Sequence, residues 1–419
     1  MQSPDTKRRG EEEKGRRGER SNSALLFSPS PLLPFFLCLA VYLLFFHRLA
    51  ERDLWSSHEA RAGMDAQMIL DENAWGLPQL YDGRLELQKP PLYYWLVAGV
   101  ARLHGGTVDA WAVRLPAAAA ALLCVLAVIV GLGQGRQRTL AGLLAAGVLA
   151  TAVHFTWLAR IGRIDMPLTL SVTLAIGGLY LARGKACWSR LSLLILAYLA
   201  IAAGVLLKGP IGLVLPAGVT IAHLALECGL PSPRRWRDWR RSLGELGIAW
   251  GVPLVAILTL PWFLWVNAHT NGEFFRVFLW HHNLERGWGG SSLRANPWWF
   301  YLPQFVGDFL PWSPLLPLAV WWAYRRGYWR CDAEARFGLA WFVSVSLVLS
   351  CARFKRADYL LPAYPGAAVP RLRRSALAAT ACSKAEIDRR RLRHFAGRGY
   401  GSLMDSARRV AVAREGTLS

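Results

Sequence analysis

Residues 113–132 read Val-Arg-Leu-Pro-Ala-Ala-Ala-Ala-Ala-Leu-Leu-Cys-Val-Leu-Ala-Val-Ile-Val-Gly-Leu, apolar throughout except for Arg114. An α-helix needs about 20 such residues to cross a hydrocarbon core. A second run, Leu140 to Leu158, follows after a gap that carries Arg136 and Arg138. Comparable apolar runs recur from Pro31 to about Pro370. No soluble core requires so many, and 53% hydrophobic residues with 20 Trp in a 419-residue chain agree with a membrane protein. The fold class that follows is an all-α polytopic membrane protein.

The net charge of +21 would point to nucleic acid in a soluble chain, so the positions of the basic residues decide its meaning. They sit in short gaps between apolar segments: Arg136 and Arg138, then Arg183, Lys185 and Arg190, then Arg234 to Arg241, then Arg325, Arg326 and Arg330. These gaps alternate along the chain, which is the positive-inside pattern rather than a nucleic-acid footprint. Of the seven cysteines, Cys38, Cys124, Cys228 and Cys351 lie in or beside apolar segments, and Cys187 and Cys331 lie in basic gaps. The two long gaps on the opposite side contain none, so no disulfide framework is implied.

Met1 to Ser30 is polar and reads as a disordered cytoplasmic tail. Pro31 to Leu49 is too long for a signal-peptide core and lacks a small-residue cleavage site, so it reads as an uncleaved anchor. Further spans are expected near Val113 to Leu132, Leu140 to Leu158, Met166 to Ala182, Leu191 to Leu206 and Gly212 to Leu226. Others follow near Ile248 to Val266, Trp298 to Trp322, Phe337 to Ser350 and Tyr359 to Val369, about ten in all. A membrane domain over 31–370 thus carries a structured first outer loop, 51–111, and a second large outer loop, 267–297. The aromatic Pro91 to Leu103 suits a helix lying at headgroup depth. Residues 371–419 form a polar, basic C-terminal tail, native or the truncated or frame-shifted remainder of a longer protein.

Chemistry-bearing residues cluster on the outer side. Lys89 precedes Pro90 and Pro91, which hold it in extended geometry. Asp165 stands at the outer mouth of a span, where a carboxylate is costly unless functional or paired. The alternative for Asp165 is a helix N-cap, with Pro167 in the first turn. Lys208, Arg353, Lys355 and Arg356 are cations on the translocated side, against the inside bias, and point to an anionic ligand such as a phosphate, with snorkelling as the alternative for Arg353. His281, His282, Asn283, Glu285 and Arg286 gather in the second outer loop. With Glu59 from the first loop, His282 allows a divalent metal site, while interfacial anchoring is the plainer role for adjacent histidines.

The set Glu59-Ala60-Arg61, Lys89-Pro90-Pro91-Leu92-Tyr93-Tyr94-Trp95, Trp111 to Pro116, Asp165-Met166-Pro167, Leu207-Lys208-Gly209-Pro210, Asn283 to Arg286, Pro311-Trp312 and Phe354-Lys355 to Pro365 resembles one family. It is similar to the lipid A aminoarabinose transferases and dolichyl-phosphate-mannose protein mannosyltransferases, over roughly residues 35–370. The resemblance implies the C-type glycosyltransferase fold and inverting transfer of a hexosyl or pentosyl group from a polyprenyl phosphate to a lipid A-like or protein acceptor. It implies a multi-pass inner-membrane enzyme with a cytoplasmic N-terminus and an extracytoplasmic site. Glu59 and Asp165 would be the catalytic acids, and Lys89, Arg61, Lys208, Arg353 and Lys355 would bind the donor phosphate. The family usually has Asp before the Glu and Glu before Lys-Pro-Pro; here these positions are His58 and Gln88. A carrier or flippase for a lipid-linked sugar, and an inactive family member, are the competing readings.

Overall fold

The computed structural model describes residues 32–80, 82–132, 136–285, 295–325 and 333–368. The tails read at 1–30 and 371–419 lie outside them. The described chain is helical, and its one β-type pairing is an antiparallel bridge between Gln79 and Leu85. In order run α1 (Leu32–Phe45), α2 (Ser57–Asp71), α3 (Leu92–Leu103), α4 (Ala110–Leu132), α5 (Arg136–Thr151), α6 (Val153–Ala159) and α7 (Asp165–Ala182). There follow α8 (Cys187–Lys208), α9 (Ile211–Cys228), α10 (Trp236–Glu245), α11 (Ile248–His269), α12 (Tyr301–Asp308), α13 (Leu316–Arg325), α14 (Ala333–Cys351) and α15 (Tyr364–Ala368).

Six of these, α4, α7, α8, α9, α11 and α14, are long and apolar enough to cross a membrane. A seventh span is the pair α5 and α6 if its 71° bend is counted as one crossing. The other expected spans are shorter or interrupted, and proline accounts for two of them, because it removes a backbone donor and clashes with the preceding turn. Trp298 to Trp322 divides into α12 and α13 around Pro311 and Pro314. Tyr359 to Val369 becomes a 3-10 turn, Ala357–Ala363, with Pro362 inside it, followed by the five residues of α15. The second of these pieces is packed inward, with Leu360, Leu361 and Tyr364 buried.

Between apolar helices in lipid there is little hydrophobic drive, so close approach of small residues matters. Ala117, Ala118 and Ala121 of α4 are fully buried beside Val172 and Ile176 of α7. Between α8 and α9, the Cα of Gly212 would put an added Cβ 2.2 Å from the Gly204 carbonyl carbon, so the two backbones nearly touch.

The first outer loop is a folded cap. Ser56 caps α2, its hydroxyl accepting from the His58 N–H. Ala62, Ala66 and Ile69 of α2 pack on Tyr93, Tyr94 and Val97 of α3 and on Val113 and Ile164 beneath. The Tyr93 hydroxyl donates to the Val113 carbonyl at 2.9 Å, and Trp262 Nε1 of α11 donates to the Gly76 carbonyl at 2.8 Å. The cap is thereby fixed to the starts of α4 and α7 and to α11.

Candidate active site

A cavity of about 330 Å³ opens between this cap and the ends of the long helices. Its floor is aliphatic, with Leu168, Ile211, Leu215 and Leu349. Its polar wall carries five basic side chains, Arg61, Lys89, Arg163, Lys208 and Arg356, against one carboxylate, Asp165.

Asp165 opens α7, but its carboxylate does not cap that helix. Oδ1 lies 2.6 Å from Lys208 Nζ and Oδ2 lies 3.2 Å from Arg163. Lys208 ends α8 because Gly209, at φ 79°, turns the chain in a conformation that side-chain-bearing residues avoid. Lys208 also stands 4.0 Å over the ring of Tyr359, a cation–π arrangement that leaves its ammonium facing the cavity.

Behind Arg163 the charges continue. Arg163 lies 2.7 Å from Asp358, which also meets Arg356 at 3.4 Å and His154 Nε2 at 3.4 Å; His154 Nδ1 lies 3.0 Å from Asp308. Burial alone would raise the Asp358 carboxyl, but the His154 contact and the two guanidinium groups outweigh it and hold it well below the carboxylate range. His154, Asp308 and Asp358 escaped the sequence reading. The signal was present, since an ionisable residue inside an apolar segment, as His154 is, marks a functional or paired position.

His58 occupies the cavity rim. Its Nε2 faces Arg356 NH1 at 3.2 Å, and burial, reinforced by Arg163, Lys89 and Arg356, pushes the imidazole down to about 4. At neutral pH it is therefore uncharged, accepting from Arg356 on Nε2.

Lys89 differs from the other four cations. Among the described residues it makes no ion pair or hydrogen bond, whereas Arg61 donates to Gln88 Oε1 at 3.1 Å and approaches Glu86 at 3.7 Å. Burial pushes the Lys89 ammonium down to about 8, partly offset by Asp165 and Glu86. An unsatisfied cation at a cavity wall is prepared for an anion.

Glu59 is placed elsewhere. It is fully buried, with Oε1 2.7 Å from Arg114 Nε and 3.0 Å from the Gly162 N–H that it accepts, and it does not line the cavity. Arg114, equally buried, also donates to the carbonyls of Leu49, Arg52 and Asp53. Lys355 is likewise spent, donating to the carbonyls of Asn296 and Ala352, and Arg353 is exposed outside the cavity. Of the metal pair, Glu59 is engaged by Arg114 and the His282 side chain lies outside the described residues. Among the described residues no three His, Cys, Asp or Glu side chains converge as a metal site. Behind Tyr94, Asp65 and Glu86 form a buried acidic pair that the sequence reading passed over.

Comparison with known proteins adds the following. Residues 31–273, more than half of the chain, match the family model of dolichyl-phosphate-mannose-protein mannosyltransferase. An uncharacterized protein of Aquifex aeolicus is 29% identical over 334 residues, covering 79% of this chain and 61% of its own. Undecaprenyl phosphate-alpha-4-amino-4-deoxy-L-arabinose arabinosyl transferase 2 of Pseudomonas fluorescens is 29% identical over 338 residues, covering 78% of this chain and 53% of its own. The chain thus spans between about half and three fifths of the length of these relatives. The crystal structure of ArnT from Cupriavidus metallidurans bound to undecaprenyl phosphate superposes with a TM-score of 0.71 at 22% identity, over 84% of this chain and 60% of that one. The apo oligosaccharyltransferase of Archaeoglobus fulgidus superposes with a TM-score of 0.55 at 13% identity, over 85% and 54%. The fold is that of these C-type glycosyltransferases.

Proposed function

Because the chain belongs to the dolichyl-phosphate-mannose-protein mannosyltransferase family, we propose that it is a membrane glycosyltransferase taking its sugar from a polyprenyl phosphate. The observation that carries this reading is Lys89, a cation unpaired among the described residues, on a basic wall above an aliphatic floor. That combination suits an amphiphile with a phosphate at the head of an apolar chain. The ArnT structure that shares the fold holds undecaprenyl phosphate.

In the mechanism, an acceptor oxygen attacks the anomeric carbon while the bond from that carbon to the phosphate oxygen breaks, with inversion. The leaving phosphate keeps the bonding electrons, and Lys89, with Arg61 and Lys208, stabilises its charge as it develops. Asp165, held between Lys208 and Arg163, orients the acceptor and takes the proton of a hydroxyl acceptor. A phosphate acceptor is already deprotonated and needs no base. Glu59 acts through the fold, by seating Arg114 and the Gly162 turn that leads into Asp165.

The site lies on the extracytoplasmic face of an inner membrane, with the N-terminus cytoplasmic; the basic gaps on the opposite side support this orientation. The acceptor is a lipid A-like lipid or a protein. The test is transfer of radiolabelled sugar from polyprenyl-phosphate donors to membrane acceptors, comparing the native chain with Asp165→Asn and Lys89→Ala at matched expression. Transfer by the native chain and its loss in both variants is the expected result. Donor flipping without transfer would establish a carrier instead.

A further inference from the structure

The cavity wall has a charge balance that constrains the sugar itself. Asp165 is its only carboxylate among the described residues, and each of its oxygens faces a cation, Lys208 on one side and Arg163 on the other. Three of the acids behind the wall are held by partners, and Asp65, which has no ion-pair partner among the described residues, does not line the cavity. Glu86 accepts from the Gln88 N–H and faces Arg61, Glu59 is taken by Arg114, and Asp358 is held by Arg163 and Arg356. His58 faces inward beside Arg356 and offers no negative charge, and Gln88 lines the cavity as a neutral amide.

A buried ammonium group needs a carboxylate or several acceptors to replace water, and like charges nearby make its burial costlier still. The donor's anomeric carbon is fixed by its phosphate at the basic wall. In a pyranose, C4 lies across one ring from C1, so an amine there stays inside a cavity of about 330 Å³, within the field of Lys89, Arg61 and Arg356. Hydroxyl or carboxylate substituents meet the opposite situation, since these donors suit neutral and anionic oxygen.

Resting on the polyprenyl-phosphate reading, the geometry points to a glycosyl group without a cationic amine, neutral or acidic. This contrasts with the 4-amino-4-deoxy sugar that names the Pseudomonas relatives. Exclusion of the amino sugar is selectivity through repulsion, supplied by five cations and, among the described residues, no unpaired carboxylate lining the cavity.

The experiment uses the purified full chain in detergent and three lipids at pH 7: undecaprenyl phosphate alone, undecaprenyl phosphate carrying 4-amino-4-deoxy-L-arabinose, and the same lipid with its amine N-formylated. The formyl group removes the charge at small cost in size. The expected result is that bare undecaprenyl phosphate binds, and that the formylated lipid binds about tenfold more tightly than the free amine, about 1.4 kcal/mol. Gln88→Glu, which adds one negative charge to the wall, should narrow that ratio several-fold. Equal or tighter binding of the free amine in the native chain would overturn the inference while leaving the donor-lipid reading intact. Failure of bare undecaprenyl phosphate to bind would remove the donor-lipid reading and this inference with it.

Discussion

Arg114 Nε and Glu59 Oε1 lie 2.7 Å apart, although 55 positions separate them in the chain, and almost no solvent reaches either side chain. The pair is the keystone of the first outer loop, since the same guanidinium binds three carbonyls of residues 49–53. Breaking a buried pair by removing one partner strands the other charge, at about 3–5 kcal/mol. Glu59→Gln should therefore lower the thermal midpoint of the detergent-solubilised protein sharply. A variant with an unchanged midpoint and abolished transfer would instead place Glu59 in the chemistry.

Lys89 should behave in the opposite way. With no partner to strand, Lys89→Ala should leave the thermal midpoint nearly unchanged and weaken undecaprenyl phosphate binding about 10- to 100-fold, the worth of a charged hydrogen bond.

The Lys89 ammonium also predicts two pH trends of opposite sign. Its folded value, about 8, lies below its ordinary 10.5, so between these the unfolded chain binds more protons and stability rises with pH. Phosphate binding favours the charged form, so affinity should fall as pH rises through about 8. Parallel binding and melting series in pH 6–10 buffers check both, and Lys89→Met should abolish both trends.

Asp65 supplies a third titration. It is fully buried, and burial together with the charge of Glu86 raises it to about 7, against the pull of Arg61 and of the Tyr94 hydroxyl. A carboxyl raised on folding stabilises below its unfolded value, 3.8, and loses that contribution as pH climbs through about 7. Stability should fall across this window, and Asp65→Asn should flatten the fall, gaining on the order of 1–3 kcal/mol at pH 8.

Gly212→Ala tests the helix contact that carries Lys208. The new methyl would meet the Gly204 backbone at 2.2 Å, and backbone cannot rotate aside as a side chain can. A loss of about 1–3 kcal/mol is expected in the melting midpoint, together with weaker donor binding as the α8 end shifts.

Much of the fold was legible because lipid imposes a long apolar period that composition cannot hide. Runs such as 113–132 and 191–206 became spans, and the basic gaps ordered them. The interrupted segments were misjudged in length because hydropathy averages over prolines, and Pro311 and Pro362 break the regular α-helix without making the sequence less apolar. In the site, Asp165 and Lys208 were recoverable as charges at span ends, Lys89 from the two prolines that follow it, and Arg61 came with the family resemblance. Glu59 and Lys355 show the limit of that reading. Each is the right residue type near the right place, but whether it faces the cavity depends on partners, Arg114 and Asn296, that are remote in sequence. His154 carried a signal as an ionisable residue inside an apolar run, but its partners Asp308 and Asp358 lie more than 150 residues away in the chain.

The bend between α5 and α6 bears on how the protein is made. At the corner, the Val153 N–H, with no helical partner, is met by the Leu310 carbonyl at 2.8 Å, and Trp312 Nε1 reaches the Thr151 hydroxyl across 161 residues of chain. Lipid offers no hydrogen bonds, so an open corner is costly in the bilayer. During synthesis the early hairpin leaves the ribosome long before residues 310–312 exist. It must wait at the water interface, or in the shelter of the insertion machinery, until the later segment arrives to close it, which makes insertion of the N-terminal half contingent on the C-terminal half.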